Sequence, residues 1–324
     1  MSDLIAFHGN SALKRLCIER IEKQRDSRSI GPVLREAWLP QYSMCTLIGA
    51  LLEDSDTAKL EEATGIPSQL ALLAQNLLGA STVSTPNQAY ADSLQSAPPW
   101  YELPDSMRGQ WTAWVEAIQV GGKVPDIFAD VIAAILRDLM STDHAVAPLP
   151  PDVEALLSDV LQLFEAEVRG EPVTPQQWKN ARAKCVVLTD ALQGSQSQSA
   201  FTKPLAVFLE SLCWSWDGDY TEPLQSLRAL ADEITYLLSS RLASEADQEI
   251  IAGQQRAMAQ FFVEAEKDPK FDPKAFFAGS KELKAFWDFD FQKLLATQKL
   301  QVVPFVGGRM MAEFVACIER RQTK

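Results

Sequence analysis

His8 and His144 are the only imidazoles in this sequence of 324 residues. Hydrolysis by a serine or cysteine nucleophile needs such a base at its side and an acid to orient it. Neither histidine stands in a nucleophile motif, and His8 reads as part of an N-terminal contact that packs Phe7. Gly307-Gly308-Arg309 before a helix could turn backbone N–H groups and a guanidinium toward an anion. The spacing and the Lys-Ser/Thr of a P-loop are missing, so a turn into the helix is the plainer reading. Between Cys213 and Tyr220 two acids flank a glycine as in a calcium loop, without the other oxygen ligands or the closing Glu. Its Trp214 and Trp216 read as an aromatic helix end, or as a stacking and partner-binding patch. The acids Glu53, Asp54, Asp56, Glu61 and Glu62 fall on the polar side of an amphipathic stretch, where solvated carboxylates belong. The sequence therefore names no catalytic residue and no metal set, and no cofactor is expected.

Five cysteines (Cys17, Cys45, Cys185, Cys213 and Cys317) lie at wide, irregular intervals with no CxxC pair. They read as reduced thiols packed in a core, which with the lack of a signal-like N-terminus and of any long apolar run points to a cytoplasmic, non-membrane protein. The net charge of −13 is uneven. Residues 41–170 carry five basic and eighteen acidic side chains, whereas residues 1–40 carry seven and five. Phosphate backbones would be repelled there, so direct nucleic-acid binding is not expected. A basic protein partner would suit the acidic segment, as would a decoy role toward a nucleic-acid-binding protein.

The elements that must position these residues are helical. Leu13, Leu16, Cys17 and Ile21 set a 3.6-residue stripe over a first helix at 11–28, with Ser11 as its cap. The apolar run 43–52 reads as a buried helix. Helices follow over 55–63 and from Ser68, broken at Gly65-Ile66-Pro67; acids flank this hairpin and its second helix lacks bases, which excludes a DNA reader. Prolines mark 79–105 as an irregular connection between helical stretches. Thr174-Pro175-Gln176-Gln177 is a capping box with proline at the first helical position. Residues 221–242 form the most regular amphipathic helix, and residues 261–291 are dense in aromatics. Only 300–306 reads as a strand, demoted to an edge by Pro304. The expected fold is all-α, an irregular multi-helix bundle with at most that one extended segment. Prolines 148, 150 and 151 divide it into helical parts at 1–147 and 152–324.

Several positions, taken in order, resemble a family of uncharacterised bacterial helical proteins. They are Ala6-Phe7-His8, Lys14, Arg20, Trp38, Cys45-Thr46, Gly65-Ile66-Pro67 with Leu70-Ala71, the run from Val115 to Gly121, and Trp178 with Ala181-Arg182. The likeness covers residues 6–190. A histidine late in the family's first helix is Gln24 here, and a doubled cysteine is the single Cys45. The resemblance implies a helical, cytoplasmic protein and supplies no reaction, but it makes His8, Arg20, Trp38 and Cys45 the positions to examine.

The expected function is that of a non-catalytic protein–protein interaction or regulatory protein, acting through residues 41–170 or the aromatic-rich C-terminal third. The binding residues it nominates are His8, Arg20, Trp38, Cys45, Trp214 and Trp216. An enzyme with its site around His8, Arg20 and Cys45 is the alternative.

Overall fold

Asn10 opens the first helix. Its Oδ1 accepts the Ala12 N–H at 2.9 Å, so the cap lies one residue before Ser11. The computed structural model describes residues 4–32, 34, 36–85, 98–124, 126–141, 149–193, 201–214, 220–267, 270–288 and 291–323. His144 and Trp216 fall outside them. The elements are α1 (Ser11–Asp26), β1 (Trp38–Leu39), β2 (Met44–Cys45), α2 (Leu47–Leu52), α3 (Leu60–Thr64), α4 (Ser68–Ser81), β3 (Val83–Thr85) and β4 (Trp100–Glu102). Then come α5 (Gln110–Ala117), α6 (Phe128–Met140), α7 (Pro151–Val168), α8 (Pro175–Gln193), α9 (Thr202–Leu212) and α10 (Thr221–Arg241). The chain ends with α11 (Glu245–Lys267), α12 (Pro273–Gly279), α13 (Lys281–Asp288), α14 (Phe291–Val302) and α15 (Gly307–Gln322).

The protein is all-α. Strands among the described residues make only two antiparallel pairs, β1–β2 and β3–β4. Three local expectations need correction. The run 43–52 is helical only from Leu47, because Ser43 turns left-handed (φ 51°) and Met44–Cys45 pair with Trp38–Leu39. Thr46 then caps α2 by accepting the Gly49 N–H at 3.1 Å. The segment 300–306 is not extended: α14 runs to Val302 and a 3-10 turn follows over Val303–Phe305, where Pro304 needs no N–H. The ends of the proline-rich connection are ordered, with Val83, Ser84 and Thr85 opposite Glu102, Tyr101 and Trp100. The capping box forms as its spacing predicts. Gln177 N–H donates to Thr174 Oγ1 at 3.3 Å, and Thr174 N–H donates to Gln177 Oε1 at 2.8 Å.

Two compact units result: Met1–Ile234 with Val303–Lys324, and Thr235–Val302. Pro150 and Pro151 lie inside the first unit at the start of α7, and α6 and α7 pack together. In that unit α15 packs on α4, α5 and α6, and α1 packs on α2 and α5. Gly307 lets α15 start against the α4 backbone, since a Cβ there would overlap the Ala80 carbonyl. The buried rings include Trp114 beside Phe314 at 6.4 Å, and Phe164, which the half-buried Trp178 covers at 5.1 Å. The cations of α15 answer acids of the 41–170 segment: Arg309 pairs with Asp138, and Arg321 chelates both oxygens of Asp130 at 2.8–3.1 Å. In the second unit α11, α12 and α13 pack on one another.

Candidate functional site

The Ala6-Phe7-His8-Gly9 tetrapeptide forms a left-handed turn. Phe7 (φ 53°), His8 (φ 50°) and Gly9 (φ 73°) all have positive φ, at about 1–2 kcal/mol for each non-glycine. The surroundings hold it there. Ala6 N–H donates to Gly122 O and Gly121 N–H to Ala6 O, both at 3.0 Å. Phe7 is wholly buried, with the Lys14 ammonium 5.9 Å from its ring centre. Gly65, itself at φ 67°, brings the end of α3 against the Ile5 carbonyl. Lys14 Nζ donates to Glu116 O and Ile118 O, each at 2.7 Å, and so caps the C-terminus of α5. Burial lowers its pKa from 10.5, partly opposed by Glu116. Ala6-Phe7-His8, Lys14, Gly65 and the turn at Gly121-Gly122 thus meet at one packing joint.

His8, Arg20 and Cys45 do not meet there as a catalytic group. His8 Nε2 pairs with Glu62 O at 2.8 Å, at the end of α3. Arg20 Nη1 donates to Leu51 O at 2.9 Å, closing α2, and its Nε lies 3.2 Å from Glu53. Cys45 is fully buried opposite Trp38, and its backbone bonds Ser29 and Gly31 at 2.8 Å each. Each of the three therefore has a place in holding α1, α2, α3 and β2 together. Trp214 lies under the Arg182 guanidinium, 3.5 Å from the ring centre, and stays 42% exposed.

Burial pushes the Cys45 thiol up to about 12 and the Cys17 thiol up to about 11, from 9.0. Above pH 9 the unfolded chain ionises these thiols while the folded chain keeps their protons. The stability they contribute is therefore whole below pH 9 and is lost as pH climbs toward 11–12, at about 1.4 kcal/mol per pH unit per thiol. Urea midpoints measured from pH 8 to 11 are expected to fall with that slope, and Cys45→Ala to make the fall shallower. An unchanged slope in the variant would remove Cys45 from the account.

A cleft of about 290 Å³ opens between the end of α1 and β4. Its apolar lining is Ile30, Leu103 and Trp111, with Trp111 only 3% exposed. Its polar lining is Arg25, Arg28 and Arg108 facing Asp26, Glu102 and Asp105, with Tyr101 between. Arg25 Nε and Arg108 Nη2 both reach Asp26 Oδ1, at 2.9 and 2.5 Å. Arg28 lies 3.3 Å from Glu102 and 5.2 Å from the Trp100 ring centre. Arg28 also occupies the left-handed position after α1 (φ 55°), where helices usually place glycine. Burial raises the Tyr101 pKa, with Arg228 opposing, so the phenol stays neutral. No residue of this cleft was nominated from sequence. Arg25, Asp26 and Arg28 come from the end of α1 and the other polar lining from β4 onward, far along the chain, and the only hint was an arginine-rich helix end.

Among the described residues no three His, Cys, Asp or Glu side chains converge as a metal site. Residues 297–322 are the one described helical stretch long and apolar enough to cross a bilayer, and 56% of its apolar 18-residue window is buried inside the fold. Buried core helices pass the same test, and the Arg309 and Arg321 ion pairs fit that role. Comparison of the chain with family models, with curated proteins and with solved structures finds no match in any of the three.

Proposed function

We propose that the chain is a non-catalytic interaction protein that associates with a second copy of itself through the aromatic face of its second unit. The observation that carries this is a cluster of rings that touch one another, four half-buried and two exposed. Phe261 sits 5.0–5.5 Å from Phe262, Phe271, Phe276 and Phe277, and Phe277 lies 6.0 Å from Trp287. None of these six rings is buried, and Phe262 and Trp287 are 64% and 60% exposed. Contiguous apolar patches of this kind are rare on lone soluble chains, and aromatics are enriched where chains meet.

Charge favours a like partner. Residues 264–288 carry five lysines (267, 270, 274, 281 and 284) and six acids (Glu264, Glu266, Asp268, Asp272, Glu282 and Asp288), a near balance. A two-fold interface lays one patch on its own image, so a rim of nearly equal charges of both signs can pair with itself. The acidic segment is the weaker contact surface, because Glu53, Asp130 and Asp138 already hold cations of the same chain. Sedimentation equilibrium at about 50 µM, above the micromolar Kd of an ordinary specific interface, should return twice the chain mass. Phe262→Ser and Trp287→Ser, both at exposed positions, should return the monomer with the helical circular-dichroism signal intact. A wild-type monomer at that concentration, or a dimer indifferent to both substitutions, would overturn the reading.

A further inference from the structure

We infer that the cleft between α1 and β4 binds a free α-amino acid with an apolar side chain. The inference is independent of self-association, since the cleft lies wholly within the first unit. Three features of the cleft point to this ligand class. The first is size: about 290 Å³ is at the small end of ligand pockets and suits one amino acid rather than a nucleotide. The second is the pairing of both charge signs on an apolar floor. A plain anion site would not carry three carboxylates, and a cation site would not carry three guanidiniums. A zwitterion with an apolar body uses both, with its side chain against Trp111, Leu103 and Ile30.

The third is the residual bonding capacity. Each guanidinium has five N–H donors, and the Asp26 and Glu102 pairs engage only one or two of them on each arginine. Arg28 and Arg108 are 55% and 58% exposed, which leaves donors for a ligand carboxylate. Asp105 is exposed and pairs with no cation among the described residues, which leaves a carboxylate for the ligand ammonium. The left-handed Arg28 adds support. A residue other than glycine at that position costs stability, and its side chain is thereby set at the cleft mouth against Trp100 and Glu102.

The test is calorimetric titration of the full chain with L-leucine, and with three analogues that each lack one feature. N-acetyl-L-leucine removes the ammonium, L-leucinamide removes the carboxylate, and glycine removes the apolar body. L-leucine is expected to bind, and each analogue to bind on the order of tenfold more weakly or not at all, as a lost charge-assisted contact requires. Asp105→Asn should weaken L-leucine by a similar factor yet leave 4-methylpentanoate, which has no ammonium, unchanged. Arg108→Gln should weaken both. Thermal melts of the two variants check that they fold, and both side chains are exposed enough to be replaced without disturbing the core. No heat with L-leucine at millimolar concentration would overturn the inference. So would inorganic phosphate binding more tightly than L-leucine, which would make the cleft a plain anion site.

Discussion

Gly65→Ala should destabilise the protein by about 2–5 kcal/mol, the steepest loss expected from adding a single methyl group. Two penalties act at that position. Alanine at φ 67° carries about 1–2 kcal/mol of left-handed strain. Its Cβ would also overlap the Ile5 carbonyl oxygen and press on the Phe7 amide 3.2 Å away, and overpacking against backbone costs about 1–3 kcal/mol. Neither atom can swing aside as the end of a long side chain would. Gly170→Ala separates the two penalties, because Gly170 has φ 74° but nothing within 4 Å of a new Cβ. Urea denaturation followed by tryptophan fluorescence should place the Gly170 variant about 1–2 kcal/mol below the parent and the Gly65 variant well below that. Equal losses in the two variants would mean that the approach of α3 to Ile5 contributes nothing.

The same contrast explains how far the sequence could be read. Features written within a few residues were legible: the Thr174–Gln177 box and the regular helix begun at Thr221 both appear where spacing puts them. Short strands were not. β1 to β4 have two or three residues each, too few for alternation to show, and each exists only because a partner strand lies opposite. The apolar run at 43–52 carries no sign that Ser43 will turn left-handed and hand Met44–Cys45 to a sheet.

The site residues divide in the same way. His8, Arg20 and Cys45 were visible as unusual side chains, but their partners are backbone carbonyls and amides, which carry no signature in sequence. Arg20 and Lys14 look like surface cations on a polar helix until α2 and α5 present their C-terminal carbonyls. The cleft is wholly non-local. Asp26 and Arg108 form one ion pair across 82 positions, and neither had a neighbour that marked it. The aromatic surplus after residue 260 was plain from composition, whereas its exposure depends on α11, α12 and α13 packing without burying it.

Phe7 offers the second large effect and an inverted order of variants. Phe7→Ala removes a fully buried ring and should lower stability by about 3–5 kcal/mol. Phe7→Gly removes the same ring but also releases the left-handed strain at φ 53°, a gain of about 1–2 kcal/mol over alanine. Glycine's greater freedom in the unfolded chain returns about 0.5–1 kcal/mol of that. The glycine variant should therefore be at least as stable as the alanine variant, the reverse of their usual order at buried positions. An alanine variant more stable by a full kcal/mol would show that the turn is not held left-handed in solution. Phe7 also borders Gly65, so the two sites should couple. A methyl at residue 65 displaces the Ile5–Phe7 backbone and has already drawn the ring from its socket. Phe7→Ala should then cost at least about 1 kcal/mol less in the Gly65→Ala background than in the parent. Additive losses would mean that the chain absorbs the methyl without moving the turn. The α3 contact and the ring burial would then be separate supports rather than one joint.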